Sequence, residues 1–290
     1  MLKRDEIHIR DPFVLPHEGR YYLYGTAGKT AWSGVGGFPC YVSDDLENWE
    51  GPYRAFDPPA DFWANDNFWA PEVHLYRGQF YMFASFYNRE KTRATQILRA
   101  ARPEGPYEVW SEPITPADWM CLDGTFHVDP DGVPYMVFCH EWLQIGTGTV
   151  EAVRLSGDLR HAEGSPFTLF AADEAPWVTP NEPRLIAGRP CMVTDGPFAV
   201  REEEGSLTLF WSSFSHGDYA EGIAVSPSGR IEGPWIQDPE PLFEKDGGHG
   251  MLFRAFDGRR IFTLHRPNRH PDERPAFFEV ERLGGHYRLK

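Results

Sequence analysis

Asp11-Pro-Phe-Val14 opens a short apolar stretch that runs through a polar turn at Gly19 into the aromatic strand Tyr21-Tyr-Leu-Tyr24. Four later stretches repeat the unit: Pro71-Glu-Val-His74, Asp123-Gly-Thr-Phe126, Asp195-Gly-Pro-Phe198 and His249-Gly-Met-Leu252. Their turn glycines are Gly78, Gly132, Gly205 and Gly258, and their second strands Phe80–Ala84, Pro134–Cys139, Leu207–Trp211 and Arg260–His265. The anchors at 11, 72, 123, 195 and 249 step by 61, 51, 72 and 54 residues. A period of this size built from hairpins predicts an all-β chain folded as a five-bladed β-propeller, each blade a small sheet radiating from a central channel. Anchors at the start of every innermost strand converge on one mouth of that channel. Carboxylates far apart in sequence then meet in space.

A second echo supports the blades. Tyr41–Pro52, Leu98–Tyr107, Val153–Leu159 and Ala224–Trp235 each read as a third strand turning into an outer fourth one, and Pro275–Glu281 as the outer strand of the last blade. The repeat leaves no room for a second domain, so residues 1–290 are read as one catalytic propeller. The wide gap before Asp195, with Ala172-Asp-Glu-Ala-Pro-Trp177, reads as a long loop. If each first strand starts at the active mouth, the antiparallel second strand returns to it. His140-Glu141-Trp142, Trp211-Ser212 and His265-Arg266 are therefore expected on the same face.

Acidic residues outnumber basic ones 43 to 28, a formal charge of −15, which argues against nucleic acid and anionic membranes as partners. No apolar run reaches the roughly 18 residues of a spanning helix. Met1–Glu6 has no apolar signal region, so the expected location is the cytoplasm; a secreted chain trimmed of its signal reads the same way. The cysteines 40, 121, 139 and 191 lack C-x-x-C spacing, which argues against zinc, and Cys139 reads as a packed thiol. Ten Trp, 12 Tyr and 21 Phe suit strands and blade cores, and those at the mouth suit sugar rings.

Hydrolysis of a glycosidic bond needs two carboxyl groups flanking the sugar, one donating a proton to the leaving oxygen and one activating water. In an inverting enzyme they stand roughly 6.5–9.5 Å apart to admit that water, and a propeller mouth can provide the span. A third acid nearby keeps the donor protonated by like-charge repulsion. Any one of these acids alone reads equally well as a turn former; four in five equivalent slots point to chemistry. His249, between small glycines in a channel-facing slot, is the candidate ligand for water or a cation, with no cofactor needed for the chemistry itself.

Arg10-Asp11-Pro12, Phe68-Trp-Ala-Pro-Glu-Val-His74, Leu122-Asp-Gly-Thr-Phe126, Thr194-Asp-Gly-Pro-Phe198 and Gly248-His-Gly250 together resemble glycoside hydrolase family 43, over nearly the whole chain. The resemblance implies that Asp11 is the general base, that Asp123 tunes the donor and orients substrate, and that His249 holds water or calcium. One departure is serious. The family's general acid is a glutamate in a Glu-Gly-Pro turn, and Asp195 stands there instead. Its carboxyl is shorter by one C–C bond, roughly 1.5 Å, and a misplacement of that order can cost about a hundredfold. Asp195 is the first candidate donor, Glu141 the second and Glu174 the third. Trp69, Glu72, Trp211, His265 and Arg266 are the candidate substrate-binding residues. The resemblance implies an inverting, exo-acting hydrolase that releases a terminal pentose from oligosaccharides, α-L-arabinofuranosidase first and β-D-xylosidase next. The rivals are a non-catalytic carbohydrate-binding propeller, which the Asp195 departure favours, and a related phosphorylase, whose phosphate site only Arg266, Arg269 and His270 suggest.

Overall fold

The computed structural model describes residues 1–28 and 32–290, with the side chains of 182–184 outside the described set. Five antiparallel sheets follow one another along the chain. Blade one holds strands Ile9–His17, Arg20–Ala27, Phe38–Ser43 and Asn48–Phe56, and blade two Asp66–Tyr76, Gln79–Tyr87, Arg93–Ala100 and Glu108–Val109. Blade three holds Cys121–Val128, Pro134–His140, Thr149–Arg154 and Phe167–Ala171. Blade four holds Asp195–Arg201, Leu207–Ser215, Asp218–Ser226 and Ile236–Gln237; blade five holds Gly248–Arg254, Arg260–Arg266, Arg274–Leu283 and His286–Leu289. The segment after Pro275 is thus the third strand of its blade, not the outer one expected from sequence. The gap before Asp195 also differs from a plain loop: it contains the hairpin Asn181–Ile186 with Arg189–Cys191.

Each four-stranded blade comes from one contiguous segment. Leu2–Lys3 adds a fifth strand to the outer edge of blade one, so blades five and one share no strand. Side chains close the ring. Arg10 bonds Glu273 at 3.3 Å, Arg274 Nε donates to the Asp5 carbonyl at 2.8 Å, and Phe256 N–H donates to the Tyr21 hydroxyl at 2.9 Å.

All five innermost strands carry the same irregularity. Between paired residues Arg10 and Phe13, Trp69 and Glu72, Leu122 and Thr125, Asp195 and Phe198, and Gly248 and Met251, two residues face one on the second strand. These are β-bulges. The first bulged residue lies in the left-handed region each time: Asp11, Ala70, Asp123, Gly196 and His249, with φ between 47° and 57°. The equivalence drawn from sequence is therefore corrected. Glu72 stands two places beyond its blade's bulge residue and Asp195 one place before.

The N–H of each bulge residue reaches back to the preceding blade. Asp11 donates to His265 Nδ1 (3.1 Å), Ala70 to Thr26 Oγ1 (2.8 Å), Asp123 to Ser85 Oγ (2.7 Å) and His249 to Ser212 Oγ (2.6 Å). The acceptor is in every case the second-strand residue opposite the position before the bulge. Gly196 differs, since its N–H goes to Asp123 Oδ2 at 3.0 Å.

Aromatic side chains fill the space between blades. Trp211 is fully buried, with ring centroids 5.0 Å from Trp177 and 5.2 Å from Phe170. Gly222 lies opposite it in the sheet because a Cβ there would collide with the Trp177 ring. Trp211→Ala should cost about 3–5 kcal/mol. Its melting temperature should drop while KM of the folded enzyme stays unchanged; a raised KM at full stability would return Trp211 to the binding site.

Candidate active site

A cavity of about 240 Å³ opens at the channel mouth, lined by Arg10, Asp11, Trp69, Arg93, Leu122, Asp123, Glu141, Asp195, Tyr219 and His249 among others. Its construction follows from the bulges. Arg10, Trp69, Leu122 and Asp195 precede a bulge, whereas Asp11, Asp123 and His249 sit in one, one step deeper along their strands. Bulges re-aim side chains next to active sites, and a non-glycine residue held at positive φ costs on the order of 1–3 kcal/mol. Three such residues meet here.

His249 Nδ1 lies 3.2 Å from Asp11 Oδ1 and 3.6 Å from Asp123 Oδ2. Burial alone would lower its pKa, but Asp11, Asp123 and Asp195 together raise it. His249 Nδ1, facing two carboxylates, is placed to donate its proton to them. Among the described residues no group of three or more His, Cys, Asp or Glu is placed to hold a metal ion.

Burial would also raise Asp11, yet His249, Arg10, His265 and a 2.6 Å bond from Thr26 Oγ1 outweigh it and hold its pKa at about 2. Asp123 and Asp195 go the other way. Burial comes first for both, and the charges of Asp195 and Asp11 add to it for Asp123, that of Glu141 for Asp195. Asp195 is pushed up to about 6 and Asp123 to about 7. Tyr219 Oη donates to Asp195 Oδ2 at 3.1 Å, leaving Oδ1 for a proton and a substrate oxygen.

The other residues expected at the mouth separate by strand parity. His265 is fully buried and presents Nδ1 to the Asp11 N–H, while Nε2 faces Asn268 Oδ1 at 3.2 Å. Burial, then Arg10, lowers its pKa to about 3, so the ring is neutral. It fixes Asp11 and does not line the cavity. Arg266, the next residue, points to the other side, exposed, with its guanidinium 5.6 Å from the Phe243 ring. Trp211 turns into the core for the same reason while Ser212 faces the bulge of blade five. Glu72 is buried outside the cavity, 3.1 Å from His74 Nε2. Glu174 is exposed and caps its own turn, accepting from Ala171 N–H at 2.9 Å; it has no access to the site.

Glu141 does line the cavity, just before the short helix Trp142–Ile145. Its Oε2 accepts from Arg93 Nε at 3.0 Å, with both side chains buried. Arg93 also reaches Asn67 Oδ1 at 3.2 Å and lies 4.0 Å over the Trp69 ring. Arg93 and Tyr219 open third strands, which start at the mouth because second strands end there. Counting third-strand starts would have found both from sequence. Trp32, Trp142 and Phe214 complete the aromatic walls, and Trp32 meets Trp69 edge-on at 5.6 Å.

The chain that forms this blade ring, with four acids and a histidine at its mouth, matches the family model "Glycosyl hydrolases family 43" over residues 6–281. The chain belongs to glycosyl hydrolase family 43. It is similar to a crystal structure described as an endo-arabinase from Bacteroides thetaiotaomicron, with 39% identity, a TM-score of 0.90 and 98% of each chain covered. An endo-1,4-beta-xylanase structure from the same organism shares 25% identity and a TM-score of 0.79, covering 98% of this chain and 94% of that one. "Xylosidase/arabinosidase 43A" of Humicola insolens is 29% identical over 70% of this chain, which spans 62% of that relative's length.

Removing one partner of the Arg93–Glu141 pair strands a buried charge. Arg93→Ala should cost about 3–5 kcal/mol. The double variant Arg93→Met/Glu141→Leu should lose less in thermal melting. A double variant less stable than Arg93→Ala would show that the pair stabilises the blade beyond mutual neutralisation.

Proposed function

We propose that this family 43 protein is an inverting glycosidase that removes a terminal α-L-arabinofuranosyl unit from short oligosaccharides. The observation that carries it is the split between two carboxyls on one cavity. Asp11 is held ionised by His249, Arg10 and a threonine hydroxyl, whereas burial raises Asp195 to about 6, so that below that pH it holds a proton. Carboxyls whose environments push their pKa values apart mark the base and the acid. In the forward step Asp11 takes a proton from water as that water attacks the anomeric carbon. The glycosidic bond breaks, and Asp195 gives its proton to the departing oxygen. Asp123 lines the cavity beside both.

Asp195 is favoured over Glu141 as donor because its hydrogen-bond partner is the neutral Tyr219 hydroxyl, while Glu141 is ion-paired with Arg93. The exo reading is supported by the cavity volume of about 240 Å³, below the roughly 300–1,000 Å³ of sites for larger ligands. The arabinose reading is supported by the 39% identical endo-arabinase structure. Its description also favours a second reading, internal cleavage of arabinan; β-D-xylosides follow. A phosphorylase has less support: Arg266 points away, Arg269 is paired with Asp272 at 2.6 Å, and of the three bases His270 alone lines the cavity.

Arabinose as sole early product from arabino-oligosaccharides, formed with inverted anomer by NMR, is the expected result; early release of longer products would establish the internal mode. Asp11→Asn should abolish turnover, and more than about a tenth of wild-type activity would exclude it as base. Asp195→Ala should lower kcat/KM on oligosaccharides by about a hundredfold or more, yet spare 4-nitrophenyl arabinofuranoside, whose phenolate leaves unprotonated. Equal loss on both substrates would remove Asp195 as donor.

The pH profile follows with a definite sign. Activity needs Asp11 ionised and Asp195 protonated, so kcat/KM on oligosaccharides should fall as pH rises through about 6 to 7. Its acid limb should lie near the Asp11 value of about 2. A profile flat up to roughly pH 8 would contradict this assignment.

A further inference from the structure

At the end away from the mouth, blades two and three meet around one indole and three guanidiniums. Third strands start at the mouth, so Arg99, six residues beyond Arg93, lies roughly 20 Å from it along the strand. Arg77, in the turn between the first and second strands of blade two, is at the same end. Arg99 and Arg160 stand 3.6 and 3.8 Å from the centre of the Trp110 ring. Two guanidiniums cannot share one face at those distances, so the indole lies between them. Its N–H donates to the Asp158 carbonyl at 2.8 Å. Arg77 stacks on Tyr76 at 4.9 Å and donates to the Gly157 carbonyl at 2.9 Å, which brings a third positive charge to the same turn.

These charges are not neutralised. Arg102 pairs with Glu104 at 3.4 Å and Arg154 with Glu163 at 3.0 Å, but among the described residues no carboxylate pairs with Arg77, Arg99 or Arg160. Asp158 turns its carboxylate to the Ser156 hydroxyl at 2.7 Å and the Arg160 N–H at 3.1 Å. A chain of net charge −15 thus keeps three unpaired arginines together, a local field that attracts anions. A groove of about 340 Å³ adjoins them, lined by Gln79, Arg99, Arg102 and Glu108 with Ala101 and Pro106. That is the size of a small-ligand site, roughly 300 Å³ and above. Glu108, opposite Arg99 in the sheet, offers acceptors for ring hydroxyls, and Ala101 and Pro106 offer an apolar side for a ring's C–H face.

We propose that this junction binds a uronate-bearing polysaccharide, the groove holding a sugar ring while Arg99 and Arg160 pair with its carboxylates. Arginine's planar fork takes a carboxylate in bidentate fashion, and carboxylates repeated along a sugar chain can meet the guanidiniums on both sides of Trp110. A free phosphate would use the guanidiniums and leave the groove empty. The site goes beyond the hydrolytic reading: it anchors the enzyme to an acidic polymer while the mouth, on the opposite face, stays open to neutral sugar.

Isothermal titration calorimetry with oligogalacturonate, a probe with a carboxylate on every sugar, should show binding that weakens as salt is added. Arg99→Gln/Arg160→Gln should weaken it about tenfold, with turnover of 4-nitrophenyl arabinofuranoside unchanged. No binding to the wild-type chain, or equal binding to the double variant, overturns the proposal. Inorganic phosphate bound as tightly also overturns it, since the groove would then have no role. So does competitive inhibition of turnover by the uronate, which would place it in the catalytic cavity. The titration needs no turnover, so failure of the arabinosidase reading leaves it interpretable. Circular dichroism and melting check the fold. Should the double variant not fold, Arg160→Gln alone, at an exposed side chain, should weaken binding about threefold; unchanged affinity would overturn the proposal.

Discussion

Five left-handed β-bulges, one at the head of each innermost strand, are the constraint on which the site depends. A regular strand sends alternate side chains to opposite faces, so consecutive residues such as Arg10 and Asp11 would diverge. The bulge bends the strand and lets both line one cavity. The cost of holding Asp11, Asp123 and His249 at positive φ is offset by bonds from the neighbouring blade. Each of their N–H groups is satisfied across a blade junction, so blade packing and site geometry are stabilised together.

Electrostatics then differentiates groups of the same chemistry. Asp11 and Asp123 occupy equivalent positions in their blades, yet their pKa values move in opposite directions. Asp11 has Arg10 before it and the Thr26 hydroxyl beside it, whereas Asp123 follows the apolar Leu122. With burial common to both, the neighbours decide. His249 lies between them and presents Nδ1 to both carboxyls.

The blade count and the placing of the acids, His249 and Trp69 in the cavity were legible in the sequence because glycine turns and aromatic strands repeat in register with the fold. Asp11, Trp69, Asp123, Glu141, Asp195 and His249 all line the cavity. The failures share a cause. The second-strand end was located correctly at His265-Arg266, whereas that of blade four runs on from Trp211-Ser212 to Ser215; in both, the parity of the pleat was missed, and Trp211 and Arg266 turn away. Parity depends on the bulge, which inserts one residue without a composition signal common to all five blades: Asp-Pro, Ala-Pro, Asp-Gly, Gly-Pro and His-Gly occupy it.

Sequence by itself determined the propeller, its five blades, the family and the set of acids carried to one mouth, since periodic hairpins and local turn chemistry act over short distances. Tertiary structure alone decided which acid has its pKa lowered and which raised, that Glu141 is bound to Arg93, and that Glu174 lies outside. These are properties of contacts between blades. Burial and the distance between charges set them, and neither quantity exists until residues far apart along the chain have been packed against one another.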